Sequence, residues 1–406
     1  MYFFLGVGVR GRLEVLPSQR ILVVAPQPFY EDRGTPIAVR QLLQALSQLA
    51  FEVDVLTYPI GESIEIPHVR YFRALNPLRL RRVPIGFSVT KLALDVTLVA
   101  ALIHRLSTGV YKCIHALEEA AFPAVVLGRR FGVPVIYDMQ SSLPEQLARH
   151  FAFRGAAAQR ALSGLEGWLL RRADSVVSSS GLAPRVRELA PTARLREWEY
   201  SGTLPQASPE EAAELRRCLG IPEERPVVLY SGTFEPYQGL PALLAAIPQV
   251  RAEVPEAVFV LVGAPEREAA LMARAHPALA REGALRIIQR QPRERIPAYL
   301  ALADVVVSPR AYGDNLPLKI FDYLAAGKPI VATDIPAHRA ALDEERALLT
   351  GCSAPDLARG IVTLLRDPEL AARLASAGHA HAEERLGWFT FVRSVSELYR
   401  ELDRAA

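Results

Sequence analysis

The feature that most limits the folds open to this 406-residue chain is an alternation of short apolar runs with longer amphipathic stretches, repeated in two series. In the first series the runs are ILVVA from Ile21, VDVLTY from Val53, CIHAL from Cys113, PVIYDM from Pro134 and, after Arg172, ADSVVSSSG. In the second they are PVVLYSG from Pro226, VFVLVG from Val258, LRIIQ from Leu285, DVVVSP from Asp304 and PIVAT from Pro329. Such runs, bounded by turn residues and separated by helical patterns, predict parallel sheets joined by crossover helices. The expected fold class is α/β, with two Rossmann-like doubly wound domains.

Residues 203–212, TLPQASPEEA, combine proline with small or acidic side chains and have no apolar period, which predicts a linker or domain edge. With 50% hydrophobic content the chain can bury two cores. The expected divisions are 1–204, 205–384 and a closing helix over 385–406. That helix is predicted to pack back on the first domain through Phe389, Phe391, Val392, Val395, Leu398 and Leu402. Open α/β sheets bind ligands outside the carboxyl ends of their strands, so two facing sheets predict an interdomain cleft.

Bulk properties exclude several classes. A net charge of +3 from scattered arginines, without an aromatic-interleaved basic stripe, argues against nucleic acid. Cys113, Cys218 and Cys352 are too few and too dispersed for a disulfide framework or zinc cluster, which predicts a reducing, cytoplasmic setting. The opening MYFFLGVGV is too short to span a bilayer and has no basic leader, so it reads as a ragged terminus. The stretch from Lys91 to Leu106 is interrupted by Asp95, His104 and Arg105 and reads as a surface or core helix. Arg70, Arg73, Arg79, Arg81 and Arg82 precede it in a long connection, as either a solvated loop or a surface for the anionic headgroups of a membrane's inner face.

The segment from Asp304 to Asp334, DVVVSPRAYGDNLPLKIFDYLAAGKPIVATD, carries the chemistry. It reads as strand, loop, helix and strand, with Asn315 as N-cap, Pro317 in the first turn, Leu316, Ile320 and Leu324 on one face, and Gly327 as the C′ residue. A helix starting beside a strand's carboxyl end offers unpaired N–H groups and partial positive charge to a phosphate. Asp314 lies before this cradle, and Asp322 lies in the second turn with Lys319 three residues before it. Taken alone, the segment reads as an ordinary capped helix whose Lys319 and Asp322 form an exposed ion pair of little energetic consequence.

Carboxylate, seven residues, carboxylate resembles the E-x7-E signature of family 4 glycosyltransferases, retaining GT-B enzymes, with aspartates in both positions. GTPIAVRQLLQAL, DMQSSLPEQL, YSGTFEPYQGL and LVGAPERE keep the family's order along most of the chain. The resemblance implies that Asp314 contacts the donor sugar, that Asp322 holds the nucleotide ribose, and that backbone near Asn315 and Leu316 holds the diphosphate. It also implies a UDP- or GDP-sugar cosubstrate, no metal ion or other cofactor, and a glycan or lipid-linked acceptor. Gly232 marks the turn opening the second domain; Gly34 and Thr35 of RGTP lie where backbone approaches phosphate or acceptor, or form an ordinary turn.

Three positions depart from the family pattern. An arginine and a lysine that neutralise the leaving diphosphate are replaced by Thr233 and Gln238, and a histidine near the donor sugar by Gln140. Lys319 is the first substitute for the lost charge and Arg290 the second. The family's mechanism has the acceptor attack on the face the diphosphate vacates, with a phosphate oxygen taking the proton, so Gln140 orients and does not titrate. His115, at a strand end, reads either as a cleft residue beside Glu118 and Glu119, near acceptor or phosphate, or as a structural histidine; Asp138 and Glu145 bracket DMQSSLPEQL, either as acceptor contacts or as helix caps. The missing charges leave open a non-catalytic nucleotide-sugar-binding relative, and fold alone leaves open an epimerase.

Overall fold

The computed structural model describes residues 20–405 apart from 31–33, 63, 78, 82, 84–87, 149–154, 199–206 and 313–316. The first half carries β1 (Arg20–Ala25), β2 (Glu52–Thr57), β3 (Val69–Arg73), β4 (Cys113–Leu117), β5 (Val135–Met139), β6 (Ser175–Ser178) and β7 (Leu195–Glu197), in the order 3-2-1-4-5-6-7. The second carries β8 (Val227–Ser231), β9 (Val258–Ala264), β10 (Leu285–Gln289), β11 (Val305–Ser308), β12 (Ile330–Thr333) and β13 (Leu348–Thr350), in the order 10-9-8-11-12-13. Every pairing is parallel. The strand order reverses between β1 and β4 and between β8 and β11, which opens one crevice in each half.

The apolar runs form these strands because helices cover both faces: β4, β5 and β8 are buried at every residue. The expected strands are all present, and β3, β7 and β13 add to them at the sheet edges. Arg70 and Arg73, expected in a connection, therefore lie on edge strand β3. Arg70 donates to the buried Asp54 carboxylate from Nε at 2.9 Å and Nη2 at 2.6 Å, and Tyr111 donates to the same group at 2.8 Å. The start of the expected linker, residues 203–206, lies among residues not described, but its end belongs to a helix, Pro209–Cys218. Ser208 and Glu211 close a capping box around that helix's start.

The carboxyl ends of the two sheets face each other. Ser180, beyond β6, donates its hydroxyl to the Ala340 carbonyl at 3.3 Å. Arg40, on the helix Gly34–Gln48, approaches Glu294 beyond β10 at 4.0 Å. These contacts span the cleft between the halves. No helix among the described residues is long and apolar enough to cross a membrane.

The chain then returns. The helix Pro368–Arg385 packs on the second half, and Trp388–Ala405 packs on the first against Gly34–Gln48. Trp388 donates its indole N–H to Gln48 at 2.8 Å. Phe391, Val392, Val395, Leu398 and Leu402 are buried as expected, but Phe389 is 75% exposed. One residue past Trp388 falls about 100° around the helix, off the stripe that the three- and four-residue spacings of the others define. Leu398→Ala is expected to cost about 2 to 5 kcal/mol of stability in the first half. Denaturant unfolding followed by the fluorescence of buried Trp198, which packs edge-on to Phe391 at 5.6 Å, measures this.

Candidate active site

The crevice between β8 and β11 is built by two glycines and one lysine. After β8, Gly232 has φ +147°, and a Cβ there would lie 2.7 Å from the Lys319 Nζ. Gly239 has φ +73°, and a Cβ there would lie 1.7 Å from the Pro309 carbonyl oxygen beyond β11. Only glycine accepts both the conformation and the approach, so the loops after β8 and β11 converge. Into that gap comes Lys319 from the helix Leu318–Ala325.

Lys319 donates to the Gln238 Oε1 at 2.9 Å, and its ammonium lies 4.0 Å from the Tyr230 ring centroid. The Gln238 amide N–H in turn donates to the Thr233 hydroxyl at 3.3 Å. Thr233 and Gln238 thus hold Lys319, and the ion pair with Asp322 weighed in the sequence is not formed. Asp322 is buried and accepts from Arg293 at 3.0 Å. Burial, and after it the Arg310 charge, hold the Lys319 ammonium well below its ordinary pKa of 10.5. Arg310 is itself buried, with its guanidinium 5.2 Å from the Tyr237 ring centroid. Two basic side chains therefore lie close enough in a desolvated crevice for the Arg310 charge to act on Lys319.

The helix begins at Leu318, with Pro317 in the cap position at ψ 126°. The expected start was earlier, from an N-cap at Asn315. Pro317 itself is extended, so the helix starts after it. Gly327 at φ +60° closes the other end as expected. Asp314, Asn315 and Leu316 lie outside the described residues. Arg290 is exposed at the end of β10, and the arginine from that connection that reaches the helix is Arg293.

In the facing half Gly34 and Thr35 open the first long helix. His115 and Asp138 are fully buried, so neither meets an acceptor directly. The His115 Nε2 lies 3.2 Å from Asp138, whose other oxygen accepts the Gln140 amide N–H at 2.5 Å. Glu118, directly after β4, has φ +49° and takes a hydrogen bond from the Ser141 hydroxyl at 3.0 Å. Burial first, and the Glu119 charge second, push its carboxyl up to about 8.

The family described as "Glycosyl transferases group 1" matches residues 211–381, and "Glycosyl transferase 4-like domain" matches residues 33–189. The chain belongs to the group 1 glycosyltransferases. Glycogen synthase of Mycobacterium tuberculosis is similar at 24% identity over 304 residues, 70% of this chain and 68% of that protein. Among solved structures, sucrose-phosphate synthase from Thermosynechococcus elongatus superposes with a TM-score of 0.78 at 22% identity, over 96% of this chain and 100% of that one. Anabaena HepE in complex with UDP-glucose superposes with a TM-score of 0.74 at 20% identity, over 94% and 100%. Both share the two-half GT-B arrangement.

For this glycosyltransferase the crevice rests on one more buried group. His338 donates from Nδ1 to the Thr333 carbonyl at 2.7 Å and accepts the Ser308 hydroxyl at Nε2, 2.9 Å away, tying the ends of β11 and β12 together. Burial, with Arg310 and Lys319 adding repulsion, lowers its pKa from 6.5 to about 4. A depressed folded-state pKa means that the unfolded chain takes up the proton first. The His338 contribution is therefore complete above pH 6.5 and is lost as pH falls from there through about 4. The loss is roughly 3 kcal/mol. Urea unfolding at stepped pH values should show this component in the wild type and not in His338→Gln.

Proposed function

We propose that this chain is a retaining glycosyltransferase that moves a hexose-type sugar from a UDP- or GDP-sugar to a glycan or lipid-linked acceptor, without a metal ion. The observation that carries the reading is Lys319, held by Gln238 against the Gly232 turn at the mouth of the β8–β11 crevice. A diphosphate entering there meets a cation already positioned and desolvated, with Arg310 behind it. Asp322, steadied by Arg293, offers its carboxylate to ribose hydroxyls on the same helix. Asp314 and the backbone at Asn315 and Leu316 are assigned to the sugar and diphosphate by the family pattern alone.

In the step itself the anomeric C–O bond to the diphosphate breaks, and its electron pair leaves on the phosphate oxygen. The acceptor oxygen bonds the anomeric carbon on the vacated face, and its proton passes to a phosphate oxygen. No protein nucleophile is needed, so catalysis rests on positioning and on charge stabilisation by Lys319. Incubation with UDP-, GDP- and ADP-sugars, with and without glycan or membrane-extract acceptors, should release nucleotide and give a product of unchanged anomeric configuration. Lys319→Met should lower kcat/KM by about a hundredfold or more. Unchanged turnover in that variant would sink the assignment; donor binding without turnover favours the non-catalytic relative, and sugar interconversion without transfer favours an epimerase.

A place at the inner membrane surface is supported by the helix Val89–Thr108, which buries Leu94, Leu98, Leu102 and Leu106 while exposing Leu92, Val96 and Ile103. Arg79 and Arg81 are exposed just before it. Sedimentation with phosphatidylglycerol vesicles, but not phosphatidylcholine vesicles, is expected, and Arg79→Glu with Arg81→Glu should abolish it.

A further inference from the structure

Behind Gln140 lies a chain of buried polar contacts for which the proposed chemistry gives no use. His115 is fully buried between the rings of Trp198 and Tyr399, each 6.1 Å away and within 18° of parallel. Its Nδ1 lies 2.8 Å from the Tyr399 hydroxyl and its Nε2 lies 3.2 Å from the Asp138 Oδ2. The Asp138 Oδ1 accepts the Gln140 Nε2–H at 2.5 Å. Apolar side chains of similar volume would fill this space without desolvating a carboxylate, so stability alone does not explain it.

The hydrogens follow from the partners. A carboxylate only accepts, so the imidazole carries a hydrogen on Nε2, and its Nδ1 pairs with the Tyr399 hydroxyl. The same carboxylate takes the amide N–H of Gln140, which turns that side chain's carbonyl oxygen away from Asp138. Without the Tyr399 hydroxyl the buried Nδ1 loses its hydrogen-bond partner, and the ring is held in its plane by the Asp138 contact alone. The tyrosine thereby steadies the imidazole that holds Asp138, which in turn holds Gln140.

Tyr399 is carried by Trp388–Ala405, the helix that follows Pro368–Arg385. That preceding helix packs on Leu318–Ala325, so closely that a Cβ on Gly378 would lie 2.8 Å from the Leu324 Cδ2. One continuous stretch of chain therefore leads from the helix bearing Lys319 and Asp322 to the hydroxyl that faces His115.

We infer that Tyr399 is a positioning residue for glycosyl transfer: acting through His115 and Asp138, it fixes the orientation of the Gln140 amide. The inference rests on the reading that Gln140 lies at the transfer site. It makes the C-terminal helix part of the apparatus that orients substrate in the other half.

The test compares Tyr399→Phe, which keeps the stacked ring and its volume, with the wild type and with Gln140→Ala. In full-length protein labelled with 15N in glutamine side chains, the Gln140 amide resonance, identified by its loss in Gln140→Ala, should move in Tyr399→Phe. With the most active donor of the panel, kcat should fall about tenfold in Tyr399→Phe while KM for the donor changes little. In the Gln140→Ala background the same substitution should change kcat less than about twofold. An unmoved resonance, or a full additional loss of kcat in the double variant, would overturn the inference. If the wild type turns over no nucleotide sugar, the proposed function falls, and the amide resonance alone decides the link from Tyr399 to Gln140.

Discussion

In a sheet whose strands all run one way, every segment that follows a strand emerges at the same edge, and both faces must be covered to bury the backbone. Each half of this molecule obeys that constraint, and the rest of the site follows from it. The Gly232 turn, the Pro309 segment and the helix bearing Lys319 share an edge because β8 and β11 are parallel neighbours. Glu118 and Gln140 share the opposing edge because β4 and β5 are. Gly239 then allows an approach to the Pro309 backbone that any Cβ would block, and Gly232 takes a backbone conformation that other residues rarely adopt.

The electrostatics of the crevice depend on burial more than on charge count. Lys319 and Arg310 repel each other in a desolvated space, and His338 lies close enough to feel both, so that burial first and their charges second keep it neutral against the pull of its hydrogen bond to Thr333. Thr233 and Gln238 form a neutral scaffold that aims Lys319, through the contacts from Thr233 to Gln238 and from Gln238 to Lys319.

Much of this was legible before any coordinates. Buried strands announce themselves through continuous apolar runs, and the C′ glycine at 327 follows from local chemistry. Short edge strands do not: β3 contains Arg70 and Arg73, and its side chains are half-buried or exposed, so its composition matches a loop. The Pro209–Cys218 helix was hidden by proline and acidic residues, although Ser208 and Glu211 stand at capping-box spacing. Which partner Lys319 takes was beyond reach, because Gln238 lies 81 residues away and only the fold brings it near. Arg293 was missed in favour of Arg290 for the same reason, since a strand end does not disclose which of two neighbouring arginines turns toward the next helix.

The returning C-terminal helix has a consequence for how the protein is made. Phe391, Val392, Val395, Leu398 and Tyr399 belong to the core that begins with β1 and the helix after it, yet the whole second half precedes them in the chain. Domains otherwise tend to fold in order as they leave the ribosome. Here the first half waits with an open apolar groove until the second half has been synthesised, and its completion is the step that staples the two halves together.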